Sequence, residues 1–266
     1  MSTKGFFTDT TVCIGCKACE VACKQWNQLP DDGLFFTGMS LDNTIDVGAS
    51  TWRHVAFVER PAPLGGQATG MGDLSWLMMS DVCKHCKRAG CLEACPTGAI
   101  VRTEFDSVYV QPDICNGCGY CISGCPFGVI DRREDDGRAW KCTLCYDRLQ
   151  DGMTPACAQA CPTESIVFGE LHDLQAQAEK RVEQLHSRGM TEAYLYGADA
   201  GNQPGTGGLN AFFLLVDKPE IYNLPPDPVA PALKSGEAWH SMAAAALGMA
   251  GGAFGAVLTS RTGARL

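Results

Sequence analysis

Sixteen cysteines, gathered into four groups of four with none left over, constrain this chain more than any other feature. The groups are Cys13, Cys16, Cys19 and Cys23; Cys83, Cys86, Cys91 and Cys95; Cys115, Cys118, Cys121 and Cys125; and Cys142, Cys145, Cys157 and Cys161. A disulfide framework belongs to short secreted chains, and thiols this close in sequence are poorly placed to bridge many loops. The stretch MSTKGFFTDTTVC also lacks a charged n-region and an apolar h-region, so no cleaved secretory leader is expected. Structural zinc favours paired C-x2-C units across a long gap, often completed by histidine. The five histidines here do not fall at ligand spacing.

The pattern that remains is the ferredoxin run, C-x2-C-x2-C-x3-C-P. Cys115 to Cys125, followed by Pro126, matches it residue for residue. Cys13 to Cys23 keeps the spacing but is followed by Lys24. The second group widens one gap to four residues before Cys95-Pro96, and the fourth widens it to eleven before Cys161-Pro162. In such a run three thiolates hold three corners of an iron-sulfur cubane. Glycines such as Gly15, Gly117 and Gly119 let the backbone bend around it and aim N-H groups inward. The fourth thiolate ligates the cluster of a partner run.

The second and third runs, 19 residues apart, pair as one module, and the first and fourth enclose it. The expected ligand sets are then Cys13, Cys16, Cys19 and Cys161 for cluster 1, and Cys23, Cys142, Cys145 and Cys157 for cluster 2. Cluster 3 takes Cys83, Cys86, Cys91 and Cys125; cluster 4 takes Cys95, Cys115, Cys118 and Cys121. Four 4Fe-4S clusters result, each of charge about -2 when oxidised, adding about -8 to the chain's own charge. Lys17, Lys84, Lys87 and Lys141 interleave with the ligands and are candidates to balance it. His85 is expected to pack beside a cluster or to lie at the surface, and Lys141 to sit between clusters or in solvent. Trp26 and Trp140 read as core.

The fold class is α+β: two nested ferredoxin-like modules, a duplicated 2x4Fe-4S fold, with a long insertion, a C-terminal extension and a C-terminal transmembrane helix. The outer module spans 1-30 and 136-170, the insertion 31-79 and the inner module 80-135. AIVRTEFDSVYVQ and GVIDRREDDGRAW alternate around Asp106-Ser107 and Asp136-Gly137, as two hairpins should. In the insertion, TWRHVAFVER is strand-like. Residues 171-237 hold an amphipathic helix over about 171-188, a buried strand NAFFLLVD, and an extended tail YNLPPDPVAP lying on some surface, this chain's or another subunit's. Between Glu237 and Arg261 lie 23 residues without formal charge, long enough to span a bilayer. Ala and Gly dominate that stretch, so a soluble helix or tail is the alternative to a span over 238-260. Gly248 with Gly252, and Gly251 with Gly255, give the G-x-x-x-G spacing of packed membrane helices. Trp239 would anchor one interface, and Arg261 with Arg265 would bias that end to the cytoplasm.

With a net charge of -9 the chain lacks the basic balance of a nucleic-acid binder. It also carries no G-x-S-x-G, Walker loop or dinucleotide fingerprint. No active site is expected within it.

Four nested runs in this order resemble the iron-sulfur subunits that accompany molybdenum or tungsten bis-pterin oxidoreductases. TWRHVAFVER, WKCTLCYDRL, CPTESIVFGEL and LLVDKPEIYNLPPDPVAP are similar to the beta subunit of respiratory formate dehydrogenase. The resemblance implies a non-catalytic, electron-transfer subunit. It would carry electrons from a bis-pterin catalytic subunit, which oxidises formate to CO2, to a quinone-reducing membrane subunit of cytochrome b or multi-span type. It also implies a single C-terminal span and a membrane-associated location at the periplasmic face, after export with the catalytic partner. A cytoplasmic face is the alternative. The same part in a sulfur-compound or sulfoxide reductase, or a hydrogenase, is the competing function. Nitrate reductase relatives replace one ligand cysteine by tryptophan; every ligand position here is cysteine.

Overall fold

The computed structural model describes residues 2-31, 36, 38, 44-60 and 75-263. Much of the insertion expected over 31-79, and Arg265, lie outside these residues. Residues 1-230 form one compact unit and residues 231-266 another.

The first unit is organised around a small mixed sheet. Strand β1 (Lys4–Asp9) is flanked by partners made far later in the chain. Its elements follow in order: α1 (Ala18–Asn27), β2 (Arg53–Arg60), β3 (Ser75–Val82), α2 (Gly90–Glu93), β4 (Ile100–Arg102), β5 (Val108–Val110) and α3 (Tyr120–Ser123). Then come β6 (Asp131–Arg132), β7 (Ala139–Trp140), α4 (Tyr146–Gln150), α5 (Ala156–Gln159), β8 (Ile166–Glu170), α6 (Leu171–Ser187), β9 (Tyr194–Tyr196) and β10 (Ala211–Leu215). The sheet runs β8-β1-β10-β9, with β1 parallel to β10 and antiparallel to β8.

Helix α6 closes one face of this sheet because Leu171, Leu174, Ala178 and Leu185 recur at helical spacing and are all buried. Each of its buried leucines contributes about 1.5-3 kcal/mol. They meet Phe7, Phe212 and Leu214 in one core. All five residues of β10 are buried, as the apolar run NAFFLLVD requires. Two short hairpins, β4-β5 and β6-β7, follow the second and third cysteine runs.

The insertion holds a second strand that its sequence did not announce. β3 pairs antiparallel with β2, from Arg53 opposite Val82 to Arg60 opposite Ser75, so the insertion runs as a ribbon directly into Cys83. The proline-rich tail packs on its own chain: Tyr222, Leu224 and Ala230 are buried, and the Ala230 N-H donates to the Gly205 carbonyl at 3.0 Å.

In the second unit, α7 (Ser235–Gly263) is 29 residues long. It has the length expected of a span over 238-260, but among the described residues no helix is long and apolar enough to cross a membrane. The physical reason is composition: alanine and glycine fill the stretch and leave few strongly apolar side chains.

Candidate metal centres

All sixteen cysteines are free thiols. Among the described residues no three His, Cys, Asp or Glu groups converge as they would on a single ion. The thiols instead ring open cavities. Cys83, Cys86, Cys91 and Cys125 line one, walled also by Val108, Phe127 and Ile130. Cys13, Cys16, Cys19 and Cys161 line another, walled by Val55, Ser80 and Ile166. In both, three thiols come from one loop and the fourth from a partner run.

The other eight thiols are grouped by their mutual influence. Burial raises the Cys23 thiol, helped by Cys157, Cys142 and Cys145. Burial pushes Cys121 to about 11, with Cys115, Cys118 and Cys95 adding to it. Influence also passes between groups. Cys19 is pushed to about 11 chiefly by burial, and Cys157 adds to it. Burial raises Cys142, with Cys83 the largest charged contributor. Burial takes Cys91 to about 12, with Cys83, Cys125 and Cys121 among its neighbours. Thiols this crowded and buried give up their protons together only to a cationic partner.

The backbone at each loop is built to face such a partner. The second residue between the first two cysteines has positive φ in all four runs: Gly15 (67°), His85 (44°), Gly117 (72°) and Leu144 (63°). Glycine supplies this turn freely; His85 and Leu144 adopt it at a cost of order 1-3 kcal/mol. Gly119 has φ 80°, and Lys17 takes the matching position of the first run at 59°. Amide groups reach sulfur at several points: Leu144 N-H to Cys142 and Ala139 N-H to Cys115, both at 3.4 Å. Side chains approach others: Ser80 Oγ lies 3.2 Å from Cys19 Sγ, Thr97 Oγ1 3.6 Å from Cys95 Sγ, and Asn27 Nδ2 3.7 Å from Cys23 Sγ.

The fourth cysteine explains why one run lacks proline. After Cys95, Cys125 and Cys161 the helix stops, and Gly98, Gly128 and Glu164 turn the chain with φ of 67°, 66° and 53°. These three helices are four residues each, whereas α1 carries Cys23 within ten. Lys24 has an N-H to give to the helix ladder, and proline does not.

The candidate cations divide. Lys84 and Lys141 are buried, at 1% and 2% exposure. Lys84 pairs with Asp81 and faces Phe127 and Phe213 at 5.2 and 5.5 Å. Lys141 donates to the Val108 carbonyl and, at 2.9 Å, to that of Cys142. Lys87 bonds Asp106 at 2.6 Å near the surface, and Lys17 bonds Glu20 at 3.4 Å. His85 is buried beside the Cys83 cavity; its Nδ1 accepts the Val108 N-H at 3.0 Å. Burial, with Lys141, Arg102 and Arg53, holds its pKa well below the usual value, so it stays neutral.

Trp26 departs from expectation. It is 41% exposed, with Nε1 donating to Asp147 at 2.8 Å and its ring 4.1 Å from the Arg148 guanidinium. A ring that caps an arginine and a carboxylate stays at the surface. Trp140 stacks on Trp52, with centroids 6.5 Å apart, against the second core.

Arg53 was not singled out from the sequence. It lies 30 residues from either neighbouring cysteine run, yet is 1% exposed. The one available signal was its phase: in β2 it falls on the same face as Val55, which is buried.

Comparison with known proteins bears on the thiol arrangement. The 4Fe-4S dicluster domain family matches residues 12-99 and again 74-171. The chain is 42% identical over 224 residues to the formate dehydrogenase iron-sulfur subunit of Haemophilus influenzae, covering 83% of this chain and 68% of that one. It is equally identical to the nitrate-inducible formate dehydrogenase iron-sulfur subunit of Escherichia coli, over 83% of this chain and 71% of the other. The B subunit of the anaerobic dimethyl sulfoxide reductase of Escherichia coli is 31% identical over 171 residues, 64% of this chain and 75% of that one. Thiol cavities, ligand loops and sequence likeness agree, and the chain belongs to the family of formate dehydrogenase iron-sulfur subunits.

Proposed function

We propose that this chain conducts electrons through four 4Fe-4S clusters between the catalytic subunit of a formate dehydrogenase and a membrane partner. When bound, such a cluster supplies a one-electron redox centre. The ligand sets proposed are Cys13, Cys16, Cys19 and Cys161; Cys23, Cys142, Cys145 and Cys157; Cys83, Cys86, Cys91 and Cys125; and Cys95, Cys115, Cys118 and Cys121. The residues fit the group, because buried thiols, inward amides and buried cations converge on the same cavities.

The observation that carries this reading is the serial electrostatic influence that runs from set to set. Cys157 raises the Cys19 thiol, Cys83 the Cys142 thiol, and Cys121 the Cys91 thiol. A single file of four sites accounts for this, with one exposed thiol, Cys16 and Cys118, in each terminal set and none in the middle sets. Exposed apolar side chains sit beside each of those thiols: Ile14 at 59% on one, Ile114 at 48% and Tyr120 at 61% on the other. Two partners, one at each end, account for both. The chain's own part is to hold the thiolates, exclude water from the middle sites and present the end sites.

The catalytic partner proposed is a molybdenum or tungsten bis-pterin subunit, since formate dehydrogenase relatives match over more of the chain, and at higher identity, than the dimethyl sulfoxide reductase relative. Membrane attachment through α7 and a periplasmic-facing location complete the proposal. The exposed Trp239, Met242, Leu247, Met249 and Phe254 support packing of α7 on an apolar partner.

The test is purification of the complex. About sixteen irons per chain and several interacting cubane signals in low-temperature electron paramagnetic resonance are expected, and formate should reduce them. A pterin partner that reduces a sulfoxide but is inert to formate would replace the lead reading, and zinc in place of iron would end both. The complex should sediment with membranes and be released by deleting residues 238-266.

A further inference from the structure

Arg53 opens β2 with its side chain fully inside the protein, a placement that costs several kcal/mol unless the charge is compensated. Among the described residues no carboxylate lies at ion-pair distance from it. Nη1 donates to Ser80 Oγ at 3.0 Å and to the Ser80 carbonyl at 3.4 Å. The guanidinium carbon lies 4.8 Å from the centre of the Phe6 ring. Nε and Nη2 are buried and have no partner. The groups whose charge acts on it are Cys157, Cys19, Cys142 and Cys23. Cys19 belongs to the first proposed ligand set and the other three to the second, so the cation stands at the junction of two sites.

Ser80 extends its reach. Because Nη1 donates to Ser80 Oγ, the serine's own hydrogen is left for Cys19 Sγ, 3.2 Å away. A ligating thiolate has no proton to give, so that contact runs in one direction, from Ser80 to sulfur. Lys141 stands near Cys83, Cys91 and Cys142, and its donors are taken up by the Cys83 side chain and the carbonyls of Val108 and Cys142. Arg53 keeps two donors without a partner, and an arginine is charged at every working pH.

We propose that Arg53 is a potential-setting residue: a permanent buried cation that favours the reduced state of the first two sites, directly at the second and through Ser80 at the first. Reduction adds one negative charge to a site, and net charge and hydrogen bonds to sulfur are levers on its potential. This rests on the four-cluster reading above.

The experiment is a redox titration of the intact complex, followed by low-temperature electron paramagnetic resonance with iron analysis on every sample. Arg53→Met keeps the stem and removes the charge. Two of the four midpoint potentials should fall, each by at least a tenfold change in the reduction equilibrium, about 59 mV for a one-electron couple. Arg53→Lys should restore most of the shift. Ser80→Ala should lower one midpoint and leave three. Four unchanged midpoints in Arg53→Met at full iron content would overturn the proposal while leaving the clusters in place. If Arg53→Met loads poorly, four unchanged midpoints in fully loaded Arg53→Gln and Ser80→Ala overturn it equally. Wild-type complex without about sixteen irons would refute the cluster reading itself.

Discussion

The inner and outer cysteine pairs solve the same problem by different means. The second and third runs stand 19 residues apart and are each followed by a short hairpin, and the lining of the Cys83 cavity all comes from residues 83 to 141. The first and fourth runs stand more than a hundred residues apart and borrow their walls. Val55 and Ser80 come from the insertion ribbon, and Ser165, which bonds the Asp9 carbonyl at 2.7 Å, links the fourth run to β1. One ligand pattern can therefore rest on short-range or long-range structure, and the long-range version leaves room for an added side chain such as Arg53 between sites.

The sharpest way to break the comparison is to remove a ligand from each pair. Cys121→Ala should abolish one inner cluster while the outer signals persist. Cys157→Ala should disturb two outer sites, because Cys157 acts on both Cys23 and Cys19. Iron content and cluster spectra read both, and loss of all four signals from Cys121→Ala would contradict independent modules.

A smaller effect separates rigid from yielding walls. A Cβ at Gly117 would collide with the backbone carbonyl of Gly137 in the inner hairpin, whereas one at Gly15 would press on the side chains of Met78 and Phe57. Both positions have positive φ. Gly117→Ala should cost about 3 kcal/mol and Gly15→Ala about 1 kcal/mol, since side chains can move aside and backbone cannot. Denaturant unfolding of the loaded protein measures the difference, and equal costs would mean the outer wall is as stiff as the inner.

The smallest effect concerns pH. Burial acts against the Asp106 carboxylate, but Lys87, Asn210 and Arg102 outweigh it and hold its pKa below the usual value. A lowered carboxylate pKa stabilises the fold above the unfolded value, near 4, and that contribution disappears as pH falls through the folded value. Asp106→Asn should cost about 1 kcal/mol or less at pH 7, given the partial exposure of the pairs. Its deficit relative to wild type should vanish in acid; a deficit that persists there would assign the loss to packing rather than charge.

Much of this architecture could be read from spacing alone. The three-thiol loops, the two hairpins, α6 and β10 all follow from patterns within twenty residues. What was missed depends on partners distant in sequence. β3 gave no clean alternation in SWLMMSDV, because its pairing with β2 is what holds it extended. Leu144 and His85 hold a backbone turn that their side chains disfavour, so residue type concealed it. Trp26 went to the surface because Asp147 and Arg148, more than a hundred residues on, offered it partners. Arg53 looked like an ordinary strand charge until the structure placed it among thiols of two sets.

Strand β1 precedes the first cysteine run, yet both strands that hold it, β8 and β10, come from beyond residue 165. The cavity of Cys13, Cys16, Cys19 and Cys161 draws its walls from positions 13 to 166. During synthesis those first three thiols emerge long before there is a chamber to receive iron. Loading of the first site is therefore a property of the nearly finished chain, whereas the lining of the Cys83 cavity is complete by Lys141.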